Sequence, residues 1–260
     1  MGVTIKGRAS AICCTLGRDH LIHEAVKCFV DQTYEDKELI VLNDHAGYPM
    51  RIDNSKYPNV KVFNYDTRFE TLGDKRNAGV NLCSGEFVFI WEDDDISTPW
   101  RMEESIRFLT DYPEYDGVKN SRVIYSLNDE FCGIPDTGYY EPTVCYRKEF
   151  LDKHEYCKEN VTMDLHMEQF AKLYVLDPSP FFWYVYRWGL GVWHISGRGA
   201  DNSKENYDEF LRHARIPNEL ITTIEPRYNT DLWTNCTTYL STELSDQDFQ
   251  AWKEVISKFL

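Results

Sequence analysis

The sequence predicts an α/β protein: a central, mixed and mostly parallel sheet flanked by helices, with a helical extension at the C-terminal end. Three observations predict it. Strand-like and helix-like patterns alternate through the first hundred residues, the order expected of a parallel sheet with helical crossovers. Several strands read as unbroken apolar runs, as strands covered on both faces do. One of these runs, Phe87-Val88-Phe89-Ile90-Trp91, delivers Glu92-Asp93-Asp94-Asp95 directly at its carboxyl end, where open α/β sheets bind ligands.

The elements follow in order. Ala9 to Thr15 reads as a first buried strand, and Leu16 to Asp19 as its loop. Leu21, Ile22, Ala25, Val26, Phe29 and Val30 recur at helical spacing, predicting an amphipathic helix that ends near Gln32-Thr33-Tyr34. Glu38 to Asn43 is a second strand, closing a βαβ unit of right-handed crossover. Lys61 to Tyr65 is a third strand, and Asp74 to Leu82 a helix stopped by Ser84-Gly85. Beyond the acids, Pro99-Trp100-Arg101-Met102 opens a helix that ends around Tyr112-Pro113. Gly117 to Tyr125 and Pro142 to Tyr146 read as strands separated by an irregular loop. An amphipathic helix starts at Asp164 and runs through Phe170, Ala171 and Leu173, and Pro180 to Trp188 is an aromatic strand. Ser245 to Asp248 cap a terminal helix.

Composition bounds the function. A net charge of -15 over 260 residues opposes a broad nucleic-acid or anionic-membrane surface, though not a local basic groove. The 8 cysteines show no CxxC spacing and sit mostly in apolar segments, as reduced core thiols of a cytoplasmic protein do. No apolar run reaches membrane-spanning length. Four consecutive carboxylates repel one another unless a cation sits among them, and hard oxygen ligands suit magnesium or manganese. The acidic run therefore points to a divalent-metal site carrying a phosphorylated ligand; the alternative is a solvated acidic turn.

Four blocks carry a resemblance across about residues 9–203. They are Thr15 to Arg18; Gln32-Thr33-Tyr34 leading through Glu38-Leu39-Ile40-Val41 to Asn43-Asp44; Lys75-Arg76-Asn77-Ala78-Gly79 with Ser84-Gly85-Glu86-Phe87; and Glu92 to Ile96 with Pro99. In their order and spacing the chain resembles a family 2 glycosyltransferase of the GT-A fold. The resemblance implies an inverting enzyme that moves a sugar from a nucleotide-sugar donor, UDP-sugar favoured, using one Mn2+ or Mg2+. It implies a GT-A domain over 1–203, with a donor-binding half to residue 98 and an acceptor half from 99, followed by helical packing over 204–260.

The same resemblance assigns roles. Asp94 aligns with the metal-binding acid of the Asp-X-Asp motif, and His194 stands as a further metal ligand. Glu92 and Asp93 would hold the ribose hydroxyls or the metal's waters. Asp44 matches the acid that reads the pyrimidine, with an Asx turn as its alternative. Arg76 would reach the base or diphosphate from the start of its helix, where amides also favour anions; its alternative is a surface pair with Asp74 or Glu70. Thr15 and Arg18 are nucleotide contacts by position, and Arg198 a phosphate clamp in a Gly-rich lid. Asp164 is the expected general base, with an N-cap as its alternative and with His166 and Glu168 in reserve.

The resemblance implies a hydroxyl acceptor, on a glycan, a lipid-linked sugar, a protein or, as in similar phage enzymes, a hydroxymethylated DNA base. Two other classes compete. A nucleotidyltransferase shares the α/β layer and acidic site, but Leu16-Gly17-Arg18-Asp19 is a poor version of its phosphate loop. A silent nucleotide-sugar-binding module would keep the donor pocket and lack a base.

Overall fold

The computed structural model describes residues 3–127, 130–133, 141–160, 162–176, 184–188, 245–247 and 250. Eleven strands are described: β1 (Ile5–Thr15), β2 (Lys37–Asn43), β3 (Val60–Asn64), β4 (Gly85–Ile90), β5 (Ile96–Ser97), β6 (Gly117–Asn120), β7 (Ile124–Leu127), β8 (Glu130–Gly133), β9 (Cys145–Arg147), β10 (Leu173–Leu176) and β11 (Tyr184–Trp188). The helices are α1 (Asp19–Val30), α2 (Leu72–Leu82), α3 (Arg101–Asp111), α4 (Lys148–Leu151) and α5 (Met163–Glu168), with a 3-10 turn over Glu141–Thr143.

Seven strands form the main sheet in the order β10-β6-β9-β4-β1-β2-β3. Only β9 runs against its neighbours, β4 and β6. The apolar runs are covered on both faces, and their side chains alternate between two cores. Ala11, Cys13, Leu39, Val41, Phe87, Phe89 and Trp91 pack with α1 and α3 on one face. Ile12, Ile40, Leu42, Val88 and Ile90 pack with Val80 of α2 and with Tyr146, Phe150 and Met163 on the other. A strand buried on both sides has no polar face to show, which is why period-2 alternation is absent from its sequence.

The first half follows the predicted order, with ends shifted by a few residues. The second half departs in four places. The single strand expected over 117–125 is two strands in different sheets, because the chain turns at Ser121, whose amide and hydroxyl both bond the Leu176 carbonyl, 3.1 Å each. From there β7 joins a smaller sheet, β5-β11-β7-β8. The loop expected over 126–141 contains β8, which pairs antiparallel with β7. The strand expected from Pro142 begins only at Cys145, since Pro142 sits in the 3-10 turn. The helix at Asp164 stops at Glu168, and Leu173 instead pairs with Gly117 in a parallel ladder.

Two glycines are set by close approach. A Cβ on Gly79 of α2 would come within 2.5 Å of the Ile12 side chain. One on Gly73 would meet the Cys157 carbonyl oxygen at 1.9 Å. The start of α2 is thereby pressed against the segment that leads into α5, bringing residues of both to one cleft. No helix among the described residues is long and apolar enough to cross a membrane.

Candidate functional site

Strand β1 ends at Thr15, β2 at Asn43 and β4 at Ile90, all at the same edge of the sheet. The loops beyond them, the start of α2 and the start of α5 enclose a cavity of about 670 Å³. Its wall includes Thr15, Arg18, Asp44, Arg76, Glu92, Asp94 and Asp164, so seven of the expected site residues share one cleft. Asp93 lies beneath the wall, fully buried. His194 and Arg198 fall outside the described residues, as does nearly all of the expected helical extension over 204–260.

Each of the acids has a partner within the chain. Arg18 donates to both oxygens of Asp93, one of them at 2.9 Å, and its Nη1 reaches Asp94 Oδ2 at 3.0 Å. Burial pushes the Asp93 carboxyl up to about 6 against the pull of the Arg18 charge, with Asp94 adding to the rise. Glu92 Oε1 accepts from Arg76 Nη2 at 2.6 Å. Asp95 turns inward: it accepts from the Tyr184 hydroxyl at 2.6 Å and the Arg187 amide at 2.7 Å. Arg187 also donates to the Asp94 carbonyl at 2.7 Å and to Glu24 at 2.8 Å. These bonds bolt the acidic turn to α1 and β11.

Asp44 holds the cavity wall together. Its Oδ1 pairs with Lys75 Nζ at 2.5 Å, and its Oδ2 accepts from the Phe69 amide at 3.0 Å. Lys75 also donates to the Thr15 carbonyl at 2.6 Å. The Asx-turn alternative falls on Asn43 instead, whose Oδ1 accepts from the His45 and Gly17 amides. Lys75 and Arg76 enter the cleft because Thr71 caps α2, its Oγ1 accepting from the Asp74 amide at 3.0 Å.

Arg76 is buried, and neither Asp74 nor Glu70 is its partner. Its Nη1 meets Glu141 Oε2 at 2.5 Å, and the Tyr156 hydroxyl donates to Glu141 Oε1 at 2.8 Å. Burial pushes the Glu141 carboxyl up to about 7, Arg76 opposing and Asp164 adding. Lys75, Glu141 and Tyr156 carried no role from sequence alone. Lys75 was legible only as a neighbour of Arg76, and Glu141 and Tyr156 gave no signal at all.

Asp164 sits in the first turn of α5, on the cavity wall. The N-cap position belongs to Thr162, and among the described residues Asp164 Oδ1 takes only the neighbouring Leu165 amide, at 2.9 Å. Neither reserve lines the cavity: Glu168 pairs with Lys119 at 2.7 Å, and His166 packs edge-on against Phe170.

Asp94 and Glu92 present hard oxygens to the cleft, the donor chemistry that magnesium and manganese take. Each keeps one carboxylate oxygen without a hydrogen bond among the described residues. Among those residues no group of three or more metal-ligating side chains is assembled.

The chain is similar to several known proteins. The poly(ribitol-phosphate) beta-N-acetylglucosaminyltransferase TarP of Staphylococcus aureus is 25% identical over 182 residues, 66% of this chain and 51% of that protein. A shorter match of 91 residues, 35% identical, is to biotin synthase of Arabidopsis thaliana, over 21% of its length. The chain thus spans about half or less of these curated relatives. Among solved structures, S. aureus TarS in complex with UDP-GlcNAc superposes with a TM-score of 0.57 at 18% identity, over 97% of this chain and 80% of that one. A mannosyltransferase of Pyrobaculum calidifontis, in complex with GDP-Man and Mn2+, gives 0.54 at 13% identity, over 98% and 81%. These likenesses bear out the GT-A fold. The model of "Glycosyl transferase family 2" matches residues 10–164, more than half of the sequence, and the chain belongs to that family.

Proposed function

We propose that the protein transfers a sugar from a nucleotide-diphosphate sugar, a UDP-sugar by preference, to a hydroxyl acceptor with inversion at the anomeric carbon. One observation carries this reading: in a chain of this family, a single cleft gathers Asp44, Arg76, Glu92 and Asp94 from the donor side and Asp164 from the acceptor side. Asp94 would hold Mn2+ or Mg2+, with Glu92 on the ribose hydroxyls or the metal's waters, and the ion when bound would draw charge from the departing diphosphate as a Lewis acid. The protein's part is to orient and to move one proton. Thr15, Arg18, Asp44 and Arg76 shape and charge the donor wall, with Asp93 fixing Arg18 from below. Asp164 accepts the proton of the acceptor hydroxyl as its oxygen bonds to the anomeric carbon and the bond to the diphosphate breaks on the opposite face. Mobility of Asp164 is limited by its place in a helical turn, and among the described residues it is not spent on capping or on an ion pair. His194 as a metal ligand and Arg198 as a phosphate clamp belong to the same reading. So does a cytoplasmic setting, which the free thiols Cys13, Cys14, Cys28, Cys83, Cys145 and Cys157 suit.

Incubation with UDP-, GDP- and CMP-sugars plus manganese tests the proposal. Slow release of free nucleoside diphosphate supports it. Pyrophosphate formed from a nucleoside triphosphate would indicate a nucleotidyltransferase, and binding without turnover a silent module. Asp94→Asn abolishes manganese-dependent turnover with the fold intact. Asp164→Asn lowers transfer by about 10²-fold or more while sparing donor affinity; an equal loss of both would remove it as the base.

A further inference from the structure

The donor wall is not held by donor-side residues alone. Arg76 is a buried cation between two carboxylates, Glu92 at 2.6 Å on the cavity wall and Glu141 at 2.5 Å behind it. Both terminal nitrogens of its guanidinium are tied to carboxylates, so Arg76 fixes the direction of Glu92 on the cavity wall. Glu141 is 1% exposed and does not line the cavity, so it touches no ligand itself. Its other oxygen is fixed by the Tyr156 hydroxyl at 2.8 Å, and the Tyr156 backbone is fixed in turn by Asn77, with bonds of 2.8 and 2.9 Å in both directions. The ring of Tyr156 lies 5.5 Å from the Arg76 guanidinium carbon. A planar guanidinium gripped at two points fixes direction as well as distance.

We propose that Glu141 is a positioning residue for donor binding: through Arg76 it aims the Glu92 carboxylate at a hydroxyl pair of the bound nucleotide. The inference rests on the donor reading above. Glu141 stands about fifty residues from the acids and belongs to the acceptor half, and Tyr156 lies close in sequence to Asp164. The contact therefore ties the seating of the nucleotide to the half of the molecule that holds the acceptor.

The experiment compares UDP with 2′,3′-dideoxy-UDP by calorimetry on the full chain. Wild type binds UDP about tenfold more tightly, the worth of one charge-assisted hydrogen bond. Glu92→Gln brings the ratio close to one. Glu141→Gln does the same to within about threefold, with Glu92 intact, and Tyr156→Phe gives a smaller shift in the same direction. A merely structural role would weaken both nucleotides alike and keep the ratio. A wild-type ratio preserved in Glu141→Gln overturns the proposal, as does an equal loss of both ligands. Should Glu141→Gln fail to fold, Tyr156→Phe decides on the same two criteria. No binding of either nucleotide by wild type removes the proposal together with the donor reading, whereas binding without the shift removes the proposal alone.

Discussion

Lys75→Met separates two accounts of the cleft wall. Lys75 and Asp44 have side chains only 6% and 5% exposed and meet at 2.5 Å. Methionine keeps the packed stem and removes the charge. Asp44 then retains the Phe69 amide on one oxygen and loses, on the other, its only ion-pair partner among the described residues. Removing one member of a buried pair costs about 3–5 kcal/mol, because the remaining charge is desolvated and uncompensated. In a domain of this size each kcal/mol moves the melting temperature by about 2–4 °C, so a fall of about 10 °C is expected. Urea titration and thermal melting measure it. The double variant Lys75→Met/Asp44→Asn recovers most of the loss, since no stranded charge remains. A loss below about 1 kcal/mol, the range of exposed pairs, would refute the reasoning and show that water reaches Asp44. The same variant should weaken nucleotide binding, because Lys75 also ties α2 to the Thr15 carbonyl at the end of β1.

Two further outcomes follow from the charges. Burial alone would raise the Glu38 carboxyl, but Lys61, the Ser10 hydroxyl and the Ser84 amide and hydroxyl hold it down to about 2 from 4.5. A depressed acid adds stability above its unfolded pKa and loses it as pH falls through the folded one. About 3 kcal/mol should therefore fade between pH 4.5 and 2, and Glu38→Gln should flatten that part of a stability-against-pH curve. Arg18→Gln should raise the affinity of the nucleotide-free protein for Mn2+ about tenfold by withdrawing a competing cation from Asp94, as read by calorimetry; unchanged affinity would show that Arg18 does not compete.

The sequence was most informative where the chain is most repetitive in its physics. Buried strands and an amphipathic α1 announce themselves through apolar spacing, and the blocks around Asp44, Arg76 and Glu92 to Asp95 located the cleft before any coordinates. Legibility fell where contacts are long-range. Nothing local tells that Asp95 accepts from the Tyr184 hydroxyl, almost ninety positions away, while Asp94 accepts from Arg18. Glu141 looks like any acid before a proline, and only the fold reveals it behind Arg76. The break at Ser121 was missed because strand propensity continues on both sides of it, and only pairing with β10 decides where β6 ends.

Arg18 has a consequence for how the molecule is made. Its guanidinium spans Asp93 and Asp94, so the turn that carries them has a cation of the chain's own. Folding should then proceed independently of any metal, in contrast to domains whose ligands find order only around zinc. Protein prepared in a chelator should then melt at the same temperature as protein prepared without one, ready to be charged afterwards.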